Sequence, residues 1–443
     1  MTRNARDVAV RVTADVRENG AYANIILPKA ISSAKLNPRD AAAATDLAYG
    51  TARWQGFIDA VLRECVTRPL SELDGDVLDV LRVGTYELTV GNEPSHIVNE
   101  WVEVAKRLVR RASGLVNATL RKVSARTMNE WKSHFAATLT GDALIEATTN
   151  HPAWILRSFE SVLPPSEVDA LIEADNAAPR PSLIALPGLA SVPADAEEGA
   201  LSPYSFAAPQ GPLSEVAGVR DGVVRVQDEG SQVAALLLAE VAPIAIGEEW
   251  LDLCAGPGGK TALLAALQRP HNGFLVANEP HEHRAELVRN AVRPLREHVR
   301  VTIKDGRIVG RDNPSRFDRV LVDAPCSGLG ALRRRPESRW RKSESDLDVL
   351  TLLQEELLTA AIRATKPGGY IAYVTCSPDP RETVDVVQTV LDEQPGVIVI
   401  KTVDVLSQFA SHVKQVGRGT AVQLWPHRHG TDAMFIQLLQ RTR

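Results

Sequence analysis

The sequence predicts a multidomain protein: an all-helical front, a small α+β connecting segment, and a C-terminal α/β domain built on a doubly wound parallel sheet. Three observations carry this. Up to about residue 126, apolar residues recur at helical spacing, as in Val77-Leu78, Leu81, Val83 and Leu88. Seven prolines then crowd between Pro179 and Pro212 and forbid long helices. Beyond residue 226 the texture becomes strand, glycine turn, helix, repeated, which is the pattern of a parallel sheet with helices on both faces.

Taken in order, the helical domain covers 1–138. It is punctuated at Asn37-Pro38, Arg68-Pro69 and Glu93-Pro94, where the residue before proline leaves helical geometry. The connecting domain, 139–225, begins near His151-Pro-Ala-Trp-Ile155 and carries short strands and loops. The third domain, 226–443, has strands expected at 249–253, 273–277, 299–303, 318–322 and 370–374, with further ones near 397–400, 421–424 and 434–438. Helices fill the intervals, among them 260–268, 282–292 and 346–364.

The 443 residues are enough for two or three well-buried cores. No apolar run is long enough for a membrane span. The N-terminus carries acid as well as base, unlike a targeting peptide, so a cytoplasmic protein is expected. Four cysteines without a CxxC pair speak against a disulfide framework and a zinc knuckle. The net charge of −5 hides two basic runs. Residues 104–126 hold seven bases and no acid, and Arg333-Arg-Arg-Pro-Glu-Ser-Arg-Trp-Arg-Lys342 holds six bases against one acid.

Trp250-Leu-Asp-Leu-Cys-Ala-Gly-Pro-Gly-Gly-Lys-Thr261 sits where a buried strand turns into a helix, the place where an open α/β sheet binds its ligand. Gly256, Gly258 and Gly259 are expected to let the backbone approach a nucleoside. A phosphate-binding loop of the form GxxxxGK[ST] would need a glycine where Cys254 stands, and a dinucleotide site prefers GxGxxG. Acids follow at successive strand ends: Glu279, Asp305 and Asp323. Acids so placed accept from ribose hydroxyls and from an exocyclic amine, so adenosine with an amino-acid tail is preferred to a dinucleotide.

Cysteines occupy the next two strand ends, in Asp323-Ala-Pro-Cys-Ser-Gly328 and Thr375-Cys376-Ser377-Pro378. Carbon 5 of cytosine is a poor nucleophile. A thiolate that adds to carbon 6 turns the ring into an enamine able to attack a sulfonium methyl, and a base must then remove the carbon 5 proton. A lone strand-end cysteine is usually inert core, but two beside the same crevice as the acids favour this chemistry.

Together, Asp252-Leu-Cys-Ala-Gly-Pro-Gly-Gly-Lys-Thr261, Asp323-Ala-Pro-Cys-Ser-Gly328 and Thr375-Cys376-Ser377 resemble the Nol1/Nop2/Sun group of RNA 5-methylcytosine methyltransferases, over about 227–443. The resemblance implies a Rossmann-like class I methyltransferase domain using S-adenosylmethionine. It further implies Cys376 as nucleophile, Cys326 as the residue assisting product release, and Asp323 contacting the target base and sharing a proton with ring nitrogen 3. Cys254, Ala255, Gly256, Pro257, Gly258, Gly259, Lys260, Glu279, Asp305 and Asp323 would line the cofactor. Lys260 either reinforces this site or is a first-turn residue with its head in water, and Cys254 is packing rather than a third reactive thiol. The family's terminal Asp-Gly-Phe-Phe is replaced by Gly430-Thr-Asp432-Ala-Met-Phe435; the last strand should survive, and this departure falls on its base-side contacts. His281 with His283, and His427 with His429, are read as solvated loop histidines, and no metal is expected.

Tyr22-Ala-Asn-Ile-Ile-Leu-Pro28, Asp46-Leu-Ala-Tyr-Gly-Thr-Ala-Arg53, Leu78-Asp-Val-Leu-Arg-Val-Gly-Thr-Tyr86 and Val116-Asn-Ala-Thr-Leu-Arg121 resemble NusB-like RNA-binding domains over about 1–135. That fusion is the arrangement of the Fmu/Sun-type 16S ribosomal RNA cytosine-5 methyltransferases. It implies 16S rRNA or a small-subunit precursor as partner; a monomer is expected. Arg110, Arg111, Arg121 and Lys122 would engage phosphates from the helical domain, and Arg333, Arg334, Arg335 and Arg339 would guide RNA to the cleft. Trp340 either stacks on a base or anchors its loop. The alternatives are the same chemistry on transfer RNA or another ribosomal site, and a noncatalytic RNA-binding assembly factor.

Overall fold

The structure, a computed structural model, describes residues 4–91 and 95–443. The chain forms two compact units, Met1–Arg157 with Arg334–Lys342, and Ser158–Arg333 with Ser343–Arg443. The division therefore falls at residue 157 rather than at 138 and 225. Asn150 shows why the helix Gly141–Thr149 stays with the front: its side chain accepts a hydrogen bond from Phe57 N–H at 2.9 Å. The proline-rich segment is tied to the sheet unit by Glu229, whose carboxylate accepts from the N–H groups of Leu201 and Ser202 at 2.6 and 2.8 Å.

The first unit is helical, with Gly75–Thr89 buried along most of its length. Its core includes Phe57, Leu81, Val83, Trp101, Leu120 and Phe135, all fully buried. Asn37 does what its position before a proline predicts: it caps Pro38–Arg53 by accepting from Asp40 N–H, with Pro38 in the first turn. Arg68-Pro69 lies just before a short 3-10 turn, Leu70–Glu72. Glu93-Pro94 falls outside the described residues.

Residues 334–342 return to this helical unit, and their basic side chains close helix ends. The last carbonyls of a helix have no partner within it and attract cations. Arg339, fully buried, donates to the carbonyls of Arg53 and Asn150, each at 3.1 Å, at the ends of two helices. Arg341 donates to the carbonyls of Val16, Gly20 and Ala21 at and beyond the end of Ala5–Asn19.

The second unit holds two sheets. Strands β1 (Ser182–Ala185), β2 (Ser205–Ala207) and β3 (Val224–Val226) form a small antiparallel sheet in the order β2-β1-β3. The large sheet contains β4 (Glu249–Asp252), β5 (Phe274–Asn278), β6 (Val299–Thr302), β7 (Phe317–Asp323), β8 (Thr365–Thr375), β9 (Val397–Ile400), β10 (Gly417–Arg418), β11 (Ala421–Gln423) and β12 (Phe435–Arg441). Its order is β10-β11-β12-β8-β7-β4-β5-β6, with β9 also beside β12. Strands β4 to β8 pair in parallel, whereas β12 runs antiparallel to β8. Successive side chains of a strand face opposite layers, so Trp250, Leu321 and Val374 enter one core and Leu251, Val322 and Tyr373 the other. The chain order reverses at β4, between β5 and β7, and there the C-terminal ends of the strands open a crevice.

Candidate active site

The turn after β4 starts the helix Gly259–Gln268 through Gly258, whose φ of +100° few side chains tolerate. The reason for the glycines differs from the expected one. A Cβ on Gly256 would stand 2.3 Å from Glu279 Oε2, and one on Gly258 2.5 Å from Ala291 Cβ, so protein fills both spaces. At Gly259 the nearest atoms belong to the Gln227 side-chain amide, 3.5 Å away. That amide is buried, and neither its nitrogen nor its oxygen has a partner among the described residues, which suits a polar ligand lying along the turn.

The acids differ in how they are held. Asp252 is buried and accepts from the Thr261 hydroxyl at 2.7 Å; burial pushes its carboxyl up to about 7 although that hydrogen bond pulls it down. Glu279, at the end of β5, is buried, accepts from His281 N–H at 3.1 Å and lies 3.5 Å from Arg284. Asp305 caps Gly306–Asp312, and the Arg307 guanidinium at 2.6 Å holds it below the usual carboxylate range. Asp323 ends β7 and accepts from Lys260 Nζ at 2.7 Å. The Lys260 side chain is only 10% exposed, so its head is in the site and not in water. These carboxylates, with no phosphate-binding loop, suit the hydroxyls and amines of an adenosine with an amino-acid tail.

Asp323 pairs with Val374 across β7 and β8, which brings the two following loops together. Cys326 Sγ and Cys376 Sγ stand 3.3 Å apart. Gly330 N–H donates to the Cys376 carbonyl and Ala433 N–H to the Gly330 carbonyl, each at 2.8 Å, so the loop before β12 supports the pair. A Cβ on Gly330 would lie 2.1 Å from the Ala433 carbonyl oxygen and could not be accommodated. The hydrogen bond to Cys376 holds the Cys326 thiol well above its ordinary range, with burial and the nearby Glu382 adding to the effect. Burial and the surrounding acids also push the Cys254 thiol up, as fits a packing residue.

Beneath the Cys326 loop lies a polar cluster that the motifs alone do not reveal. Glu382, Gln354, Ser327, Ser377 and Tyr373 are all buried. Glu382 accepts from Ser327 N–H at 2.7 Å and from the Ser327 hydroxyl, and Gln354 donates to Glu382 at 3.1 Å. One signal was available in the sequence: Gln354 shares the apolar face of Asp346–Ala364 with Leu347, Leu358 and Ala361, where a polar residue needs a partner.

Of the basic residues, Arg110, Arg111, Arg121 and Lys122 are exposed on the helical unit. Within the second run the arginines differ in burial. Arg339 is sealed on backbone carbonyls and does not guide RNA, contrary to the expectation from its place in a basic run. Arg333, Arg334 and Arg335 are half-buried; Arg333 donates to the Gly430 carbonyl at 2.6 Å, and Arg335 lies 5.1 Å from the centre of the Tyr22 ring. Trp340 is an anchor within the helical unit, its indole nitrogen buried and its ring 3.1 Å from where a Cβ on Gly56 would stand. His427 is not a solvated loop residue, since its ring contacts Glu167 at 2.9 Å, and burial pushes the His429 ring down. Among the described residues no group of three or more histidines, cysteines and acids is placed to hold a metal ion.

An open sheet with a glycine turn after its first strand and acids at the following strand ends defines a methyltransferase fold, and comparisons with known proteins agree. Residues 241–440 match the family described as 16S rRNA methyltransferase RsmB/F, and residues 3–125 match the NusB family. A protein of Mycobacterium tuberculosis, named only as a methyltransferase, is 42% identical over 99% of this chain and 96% of its own. Ribosomal RNA small subunit methyltransferase B of Pseudomonas syringae pv. tomato is 31% identical over 98% and 96%. The crystal structure of a protein designated PH0851 shares the fold at a TM-score of 0.83 and 22% identity, covering 100% of both chains. The chain belongs to the RsmB/F family of 16S rRNA methyltransferases, with a NusB domain at its front. It is an S-adenosylmethionine-dependent RNA methyltransferase.

Proposed function

We propose that this protein methylates carbon 5 of a cytosine in 16S ribosomal RNA through a covalent adduct on Cys376. The observation that carries the reading is the 3.3 Å separation of the Cys326 and Cys376 sulfurs, just beyond the ends of β7 and β8. When bound, S-adenosylmethionine supplies the methyl group; the turn Cys254 to Lys260, Glu279, Asp305 and Asp323 would hold it.

The chain's own residues do the rest. Cys376 adds to carbon 6, forming the S–C6 bond and moving an electron pair onto carbon 5. Asp323 shares a proton with ring nitrogen 3 and offsets the charge that builds there, steadied by Lys260. Once carbon 5 carries the methyl group, its proton leaves to a base, the C5–C6 double bond re-forms and the Cys376 thiolate is expelled. Cys326, whose sulfur lies 3.3 Å from that of Cys376, assists this release, the role that the family resemblance implies for it.

The substrate reading rests on the relatives named as ribosomal RNA small subunit methyltransferase B and on the NusB domain. Arg110, Arg111, Arg121 and Lys122 are the phosphate contacts we assign to that domain. A base inside a duplex hides carbon 6, so the target is a loop or extruded cytosine. Bisulfite sequencing of total RNA from cells with and without the protein tests the assignment: one 16S cytosine should lose protection, and an unchanged profile overturns it. In vitro, Cys326→Ala should accumulate an RNA adduct, while Cys376→Ala should neither trap RNA nor turn over.

A further inference from the structure

We propose that Glu382 is a positioning residue that sets Cys326 for product release, while leaving the attack by Cys376 largely untouched. The proposal rests on the reading of Cys326 as the releasing thiol.

The two cysteines are held by different means. Cys376 follows β8 directly, and main-chain bonds hold its surroundings: Ala324 N–H donates to Val374 at 2.9 Å and Gly330 N–H to Cys376 at 2.8 Å. Cys326 lies in a loop with no strand partner, and both of its neighbours are tied to one buried side-chain pair. Gln354 donates to the Pro325 carbonyl at 2.9 Å on one side, and Glu382 receives the Ser327 N–H at 2.7 Å and the Ser327 hydroxyl on the other. Gln354 and Glu382 meet at 3.1 Å. The pair is itself anchored, since Tyr373 in β8 donates to the Glu382 carbonyl at 2.9 Å.

Glu382 has no exposed surface. Taking a carboxylate out of water is costly, and an apolar residue would fill the space at lower cost. Here three donors meet the charge, two of them from the residue next to Cys326. Such an arrangement contributes geometry more than stability. A side chain displaced by about 1 Å from its productive position loses about a hundredfold in rate.

The test is Glu382→Gln in the full-length protein, assayed with S-adenosylmethionine and 16S rRNA transcript for the first-turnover burst, steady-state turnover and RNA adduct stable in detergent. The burst should stay within about threefold of the parent, turnover should fall about tenfold or more, and adduct should accumulate. Ser327→Ala, which removes one bond to Glu382 and leaves no buried charge unpaired, should show the same split more weakly and serves if Glu382→Gln fails to fold. Parental turnover without adduct overturns the proposal, as does equal loss of burst and turnover in a protein of unchanged melting temperature. Cys326→Ala is run in parallel. If it accumulates adduct and Glu382→Gln does not, the positioning role falls while the release role stands; if neither does, both fall.

Discussion

Lys260 and Asp323 form an ion pair at 2.7 Å that joins the first turn of the helix after β4 to the end of β7, across the point where the strand order reverses. The pair is mostly shielded, with side-chain exposures of 10% and 29%. A charge-assisted hydrogen bond so placed is worth about 1.5–3 kcal/mol. Lys260→Met should therefore lower kcat by about ten- to a hundredfold. A double-mutant cycle with Asp323→Asn should show strong non-additivity in single-turnover methylation, and additive losses would mean that the two act separately.

Gly256 has no room for a side chain. In Gly256→Ala the new methyl group must displace the Glu279 carboxylate, which lies 2.3 Å from the Cβ position. Titration calorimetry should find S-adenosylmethionine bound about tenfold more weakly or worse, with circular dichroism unchanged. Parental affinity would remove Glu279 from the cofactor site.

Alkylation can read the thiol pair directly. Cys376 is the largest cause of the raised Cys326 thiol, so its removal makes that thiol more acidic. The thiolate is the form that reacts, so Cys376→Ser should move the labelling of Cys326 by iodoacetamide to lower pH. At neutral pH the labelling of Cys326 should be about threefold faster for each tenfold gain in thiol acidity, because the thiolate fraction rises while its nucleophilicity falls. Mass spectrometry of the labelled peptide between about pH 6 and pH 10 checks the sign; a move to higher pH contradicts it.

The two basic runs should separate by assay. Arg339→Ala strands the carbonyls of Arg53 and Asn150 and leaves a cavity, a loss of about 3–5 kcal/mol visible as earlier thermal unfolding. Arg111→Ala and Arg121→Ala, at exposed positions, should leave melting nearly unchanged and each reduce the salt slope of RNA binding by about one.

Much of the sheet was legible because periodic apolar runs bounded by glycine and acid mark buried strands. The elements at 397–400 and 346–364 appear with the expected limits. Strand β8 begins at Thr365, five residues before the expected start, since Pro367, Gly368 and Gly369 hide its first half. The two-residue β10 carried too little pattern to read, whereas the helix Val384–Glu393 buries Val386, Val387 and Val390 at helical spacing.

What the sequence by itself determined is which groups to propose for the chemistry, because each strand end and its turn are local and their residues announce themselves by type and spacing. Glu279, Asp305, Asp323, Cys326 and Cys376 were all proposed in this way. Tertiary structure alone decided which charges face solvent and which hold the protein together. Arg339 sits in a basic run, yet its partner at Arg53 is 286 residues away, and Glu382 finds Ser327 at a distance of 55. A buried charge takes its role from its hydrogen-bond partners, and those are chosen by the packing of distant segments.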